Sequence, residues 1–380
     1  MYPKVKPALA RAWRDLQTVQ FGVTPAHAVA FGPLDNAAGG FLDLLDGTRT
    51  LPALREGAAA LGLPEGHADL LVRRLAGAGL LDDSTAGGPP AQAMRHRMDM
   101  VERLRPDLGS LSLVRREPGG ALRGLAARRA VRVQVRGLGR VGALVAAVLA
   151  GAGVGRVEGV DGGVVEPGDV APGGLPPDSV GMRRDDAVRQ LVRAAAPAPP
   201  PRSGPAGSAG GAEPGLSLVV VAPRQGLAVY APDPAETADW IGSGTPHLFA
   251  GVLEGTGVVG PLVLPGETAC SGCLERDRVA RDPAWPRLVT QWRSGRGRAG
   301  PSCDVGVATA VAGLAAAHAL AFLDGRLPAS AGARWEVAVP ELDWRRDPVP
   351  AHSDCPCGAA RSGEGERTSV GREPQDTMAR

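Results

Sequence analysis

The chain has 380 residues, room for two domains of ordinary size, and its 42 basic against 40 acidic residues give no field that would make nucleic acid or an anionic membrane the main partner. Both lysines, Lys4 and Lys6, lie near the start and the one asparagine is Asn36, which excludes a mechanism built on a central Lys or Asn. With 54 Gly and 35 Pro beside a hydrophobic content of 44%, folded domains joined by loose segments are expected.

The first residues, from Met1 to Asp15, carry no apolar signal region and no small-residue cleavage site, so a cytoplasmic location is expected. Thr18 to Val23 and His27 to Phe31 read as short strands separated by Pro25. Helices follow: one from Asn36, as cap, to Leu45, one after Thr50 to about Ala60, and a third from about Pro64 to Ala78 with Leu70, Leu71 and Leu75 as its apolar stripe. Three small helices against a β-ribbon predict a winged-helix-like α+β domain over residues 1–83. Its ribbon leaves an edge at Ala28, Val29 and Phe31 that an extended peptide can join. Leu71 and Leu75 are candidates for the wall of that groove and Arg74 for an acidic partner residue; the leucines equally suit core packing.

Residues 84–128, with the breaker clusters Ala86 to Pro90 and Pro118 to Gly120 around one charged helix candidate, read as a linker. A second domain over 129–358 opens with a strand at 131–136, a helix at 140–151 and a strand at 157–161. Leu216 to Ala222 adds a buried parallel strand. The Pro, Gly, Ala and Ser stretch from Pro197 to Pro214 reads as a surface loop inside this domain, and 359–380 as a disordered tail. Val305 to Leu323 approaches the length of a membrane span, but it is mostly Ala and Gly and carries His318, so a buried helix is expected.

Gly137, Gly139 and Gly142 fall in G-x-G-x-x-G spacing between the first strand and its helix. Glycines there allow a tight turn and close backbone approach, and the helix start offers free N–H groups to a phosphate. Asp161, ending the next strand, stands where a carboxylate accepts from ribose hydroxyls. The same glycines also suit a turn kept only for helix–strand packing. Cys270 and Cys273, with Cys355 and Cys357, form two close pairs that can close a tetrahedral structural zinc site; His352 is a spare ligand, and two unmetallated pairs are the alternative.

The glycine turn, Asp161 and the two cysteine pairs together resemble the ThiF-type (ubiquitin-activating-like) adenylyltransferase family over roughly residues 129–357. The resemblance implies an α/β, Rossmann-like domain with a zinc clamp. Gly255 to Gly266 looks like the strand pair that leads to the family's zinc knuckle, and the helix from Cys303 like the one after its crossover loop. Residues 1–83 resemble the peptide-recognition domain of ribosomal-peptide-modifying enzymes, and the combination is similar to the partner proteins of azoline-forming cyclodehydratases. That implies a precursor's leader peptide and a cyclodehydratase-type enzyme as partners, with homodimerisation open.

Three departures from the family pattern matter. The stretch after Asp161 has neither the family's Asn nor its Arg, the phosphate-holding Lys is replaced by Arg183 or Arg184, and the magnesium-binding Asp by Arg224. The expectation is therefore a binding protein with an eroded ATP site, the alternative an adenylyltransferase acting on a peptide or carrier-protein carboxyl terminus. Cys303 is a candidate reactive thiol or an inert one. A DNA-binding reading of the third helix finds only Arg73 and Arg74 as cations, and a dehydrogenase reading leaves the cysteines unexplained.

Overall fold

The structure, a computed structural model, describes residues 1–201, 215–224, 226–295 and 302–362. Most of the loop expected at 197–214 and of the tail expected at 359–380 lies outside these. The chain forms two units, residues 1–130 with 197–201, and 131–196 with 202–380.

In the first unit, β1 (Pro3–Val5) pairs antiparallel with β5 (Leu81–Asp83). A separate three-stranded sheet runs β2 (Arg11–Trp13), β3 (Val19–Phe21), β4 (Val29–Phe31). Three helices follow: α1 (Asn36–Leu44), α2 (Leu51–Ala60) and α3 (His67–Gly77). Asp35 rather than Asn36 caps α1, accepting from the Ala38 N–H, and Thr50 caps α2 through Ala53, so each start satisfies an orphan donor. Phe21, Phe41, Leu54, Leu71 and Leu75 share one core. The expected linker is instead helical, with α4 (Gly88–Arg95), α5 (Met98–Arg103), α6 (Arg105–Val114) and α7 (Gly120–Ala130) around their own cluster of Met94, Met100, Leu104, Leu111 and Leu125. Lys6, fully buried, ties both halves of the unit together: its Nζ donates to the carbonyls of Ser112 at 2.6 Å, Arg116 at 3.1 Å and Arg115 at 3.3 Å, the orphan acceptors at the end of α6.

The second unit begins as the sequence predicts: β6 (Arg132–Arg136), α8 (Arg140–Gly151), β7 (Arg156–Val160), α9 (Arg184–Ala195) and β8 (Leu216–Val221). Two short helices, α10 (Leu227–Tyr230) and α11 (Pro234–Gly242), lead to the hairpin β9 (His247–Leu253) and β10 (Thr256–Val263). Then come α12 (Ser271–Arg281), α13 (Trp285–Arg293), α14 (Val305–Leu323), β11 (Ala333–Ala338), β12 (Arg345–Pro348) and a last turn, α15 (Ala359–Ser362), where tail was expected. The sheet order is β12-β11-β10-β9-β8-β6-β7, parallel from β7 through β9 and antiparallel from there to β12. Among the described residues α14 alone is long and apolar enough to cross a membrane; its Val307, Val311, Ala312, Ala315 and Ala319 are buried in the sheet's core.

Candidate functional site

The glycine turn leaves the end of β6 as the motif predicts, and close packing accounts for two of its three glycines. Gly137 has φ +88°, and a Cβ there would stand 2.2 Å from the Ala222 carbonyl oxygen; one on Gly142 would stand 1.9 Å from the Gly137 oxygen. Gly139 is different, because what its missing side chain would meet is charged: Arg224 Cγ at 3.1 Å and Asp169 Oδ1 at 3.6 Å.

Those two side chains belong to an ion network that covers the turn. Asp169, almost wholly buried, accepts from Arg224 Nε at 2.6 Å and from Arg184 Nε at 3.1 Å. Arg224 also holds Glu166 by a two-pronged bond, Nη1 at 2.9 Å and Nη2 at 2.5 Å. Arg184, buried in turn, donates to Asp161 Oδ1 at 2.9 Å. Asp161 completes its shell with the N–H groups of Gly163 and Leu138, each at 2.9 Å. Burial pushes the Asp161 carboxyl up, but the hydrogen bonds from Gly163, Leu138 and Arg184 outweigh it and hold the group below the ordinary carboxylate range. Three carboxylates and two guanidiniums thus satisfy one another where a nucleotide's phosphates were expected.

Two sequence expectations change here. Arg184 faces carboxylates and not an open crevice, and Asp161 has its oxygens occupied by its own chain. Arg183 is exposed and pairs with Asp185 at 3.2 Å. Cys303 precedes the α14 cap Asp304, so it lies outside the first helical turn; burial pushes its thiol up, and its carbonyl accepts from Arg140 at 2.7 Å. The Arg140 charge pulls that thiol down, but less than burial raises it.

The four paired cysteines come together from α12, its approach, and the chain end. All four are buried and their sulfurs lie within 4.8 Å of one another: Cys270 to Cys273 4.0 Å, Cys270 to Cys355 3.5 Å, Cys273 to Cys357 3.6 Å. A tetrahedron of thiolates about 2.3 Å from one zinc ion has edges of about 3.8 Å, so the donor set fits. Cys273 also accepts the His352 backbone N–H at 3.4 Å, while the His352 ring turns toward Asp354 and is no ligand here. Its neighbour Cys270, and after it that N–H, pull the Cys273 thiol down against its burial.

On the first unit, β4 is an edge of its sheet. Gly22 N–H bonds Ala10 and Arg14 N–H bonds Thr18, which fixes the alternation: Val19 and Phe21 face β4, and the backbone groups of Ala30 and Gly32 turn outward, while the Ala28 N–H is already bonded to the Thr24 carbonyl at 2.9 Å. Arg74 already takes one of these acceptors, donating to the Gly32 oxygen at 2.7 Å with its guanidinium 4.7 Å over the Phe31 ring. Leu71 and Leu75, expected in a groove wall, are core residues at 5% and 0% exposure; the exposed leucine of α3 is Leu70. Of the expected stripe, Leu71 and Leu75 are buried and Leu70 is not, so the helix's phase was not readable from three leucines.

The ThiF family profile matches residues 121–357, more than half of the chain. The chain belongs to the ThiF family. No curated protein matches it. Among solved structures it is similar to E. coli MccB with AMPCPP and MccA, at 16% identity and a TM-score of 0.65, covering 93% of this chain and 99% of that one. It is similar to E. coli MccB with ATP at 15% identity and 0.64, covering 94% and 99%, and to PaaA at 16% and 0.66, covering 90% and 99%. At such identity these show a shared fold. Within a ThiF domain the sequence reading missed Glu166 and Asp169, whose signal was present: two acids three residues apart facing an Arg at the position of an expected Asp.

Proposed function

We propose that this ThiF-family protein is a peptide-binding partner of a modifying enzyme and that its nucleotide site is closed by its own side chains. The observation that carries the reading is the network over Gly139. Arg224 and Asp169 fill the approach to the turn, and every charge there has an internal partner, so a phosphate would have to displace ion pairs, those between Asp169 and Arg184 being buried and those between Arg224 and Glu166 solvent-exposed. Adenylation needs positioned groups and a metal ion on the phosphates, and Arg224 repels the magnesium that an Asp would hold.

The peptide enters at β4, adding a strand through the outward N–H and C=O of Ala30 and the carbonyl of Ala28, whose own N–H is taken by Thr24, and exchanging an acidic residue onto Arg74. The bound peptide is the leader of a ribosomally made precursor, and the protein presents it to, or activates, a cyclodehydratase in the cytoplasm. The winged-helix-like character of residues 1–83 is supported by three helices closed by the β1–β5 pair. A zinc ion on the four thiolates clamps the chain end to α12 as a structural element.

The test runs two assays on the full chain. Ala30→Pro removes an outward N–H and leaves the bonds to β3, so it should lower affinity for a leader peptide at least tenfold while the fold persists; ATP–pyrophosphate exchange should be absent with the same peptides. Unchanged affinity in Ala30→Pro and in Arg74→Glu would place peptide binding elsewhere. The alternative, an adenylyltransferase acting on a carboxyl terminus, is favoured by the likeness to MccB structures holding ATP or AMPCPP, and peptide-dependent exchange would establish it.

A further inference from the structure

Beside the thiol clamp, Arg278 of α12 and Arg334 of β11 lie on the same aromatic ring. The Arg278 guanidinium stands 4.3 Å from the Tyr230 ring centre and 4.6 Å from that of Trp285, and Arg334 stands 4.6 Å from Tyr230. Both donate to the Tyr230 carbonyl, Arg334 at 2.9 Å. Arg334 is 1% exposed and has one carboxylate, Glu336, at 2.8 Å from Nη2, with its Nε unpartnered. Arg278 has no carboxylate at ion-pair distance among the described residues; the nearby Asp277 pairs with Arg281 at 3.0 Å. Two packed guanidiniums therefore share one acid, and the cluster is short of one negative charge. Burial, and next the Arg334 charge, pull Arg278 down.

A pocket opens on Arg278, lined by Ser271, Glu275, Trp285, Val289 and Arg293. Arg293 reaches the Ala231 carbonyl at 3.0 Å and Asp233 at 3.4 Å. The space inside is small, about 10 Å³, room for about one water-sized group, so a carboxylate seats one oxygen inside with the rest at the open mouth, and a nucleotide is far too large. Trp292, edge-on to Trp285 at 5.8 Å and 48% exposed, adds an aromatic rim.

We propose that this pocket binds a carboxylate group, held by the free edge of the Arg278 guanidinium against Trp285. A planar fork with unoccupied N–H groups matches a carboxylate's two oxygens, and stacking between two rings fixes its orientation before binding. The carboxylate is either a free small anion or an acidic side chain of a bound peptide or protein. The site is separate from the glycine turn and does not rest on the function proposed above.

The experiment titrates the zinc-loaded full chain with acetate at constant ionic strength, and with a capped acidic pentapeptide, following melting temperature and tryptophan emission. Wild type should show saturable stabilisation and an emission change. Arg278→Gln, which relieves the like-charge contact and should fold, should show neither; Arg278→Lys, which keeps charge and loses the fork, should weaken the response at least tenfold. Saturation by the peptide at concentrations tenfold or more below acetate assigns a side chain as the occupant, and comparable concentrations assign a free carboxylate. No saturable response to either probe, or a response unchanged in both Arg278 variants, overturns the proposal.

Discussion

Two polar clusters of the ThiF-like unit, the four thiols and the network over Gly139, are built on opposite principles. The thiols gather four groups of one chemistry, answered by one another and by the His352 N–H on Cys273, in a donor set whose charge a cation can share. The network alternates acid and base so that each charge is answered from within the chain. Buried polar groups must be satisfied, and whether the partner is inside or outside the chain decides whether a cluster is a site or a strut. On that criterion the first cluster can take a metal ion such as zinc, and the function proposed above leaves the second without a nucleotide.

The largest effect expected is at the clamp. Cys270→Ser, or removal of the metal by a chelator, should abolish a zinc content of about one ion per chain and unfold the segment around Cys355 and Cys357, since structural zinc contributes on the order of 10 kcal/mol of apparent binding energy. Metal analysis with thermal melting reads both. Freshly purified, reduced protein without zinc would remove the clamp from the comparison.

Next comes Asp169→Ala, which leaves Arg184 and Arg224 without their shared acid. Breaking a buried ion pair from one side costs about 3–5 kcal/mol. Inorganic phosphate should then restore part of the lost melting temperature in the variant and raise that of wild type less, because only the variant lacks an anion at the glycine turn. Equal phosphate responses in the two proteins would mean that the network does not close the turn.

Smaller effects come from the supporting bonds. Replacing Lys6 by Met leaves the carbonyls at the end of α6 buried and unpaired, and should lower stability by about 1–3 kcal/mol in a denaturant melt. The pH dependence has a definite sign: the Asp161 carboxyl titrates lower in the folded chain than in the unfolded one, near 3.9. Its contribution is therefore complete above about pH 3.9 and lost as pH falls through the depressed value, a loss absent in Asp161→Asn.

What the sequence revealed and what it hid follow the range of the interactions. The turn from β6 into α8 and the two cysteine pairs are local patterns, and their spacing alone located them. The helices of 88–130 were hidden because prolines and glycines that read as linker stand at helix starts, Pro89 and Pro90 in α4 and Pro106 in α6, where a missing N–H is no loss. The network stayed hidden because it joins residues 161, 166, 169, 184 and 224, which only the completed βαβ fold brings to one place. Leu71 and Leu75 faced inward for a related reason: a helix's phase is set by what packs on it, here β3, β4, α1 and α2.

The claim that the glycine turn is closed by its own chain meets its most direct test in a calorimetric titration of the wild-type protein with ATP and magnesium. The account predicts no saturable heat, and none after Arg224→Asp alone, since Arg184 and Asp169 stay in place. A tight, magnesium-dependent isotherm with wild type would contradict it and make the chain a nucleotide-using enzyme.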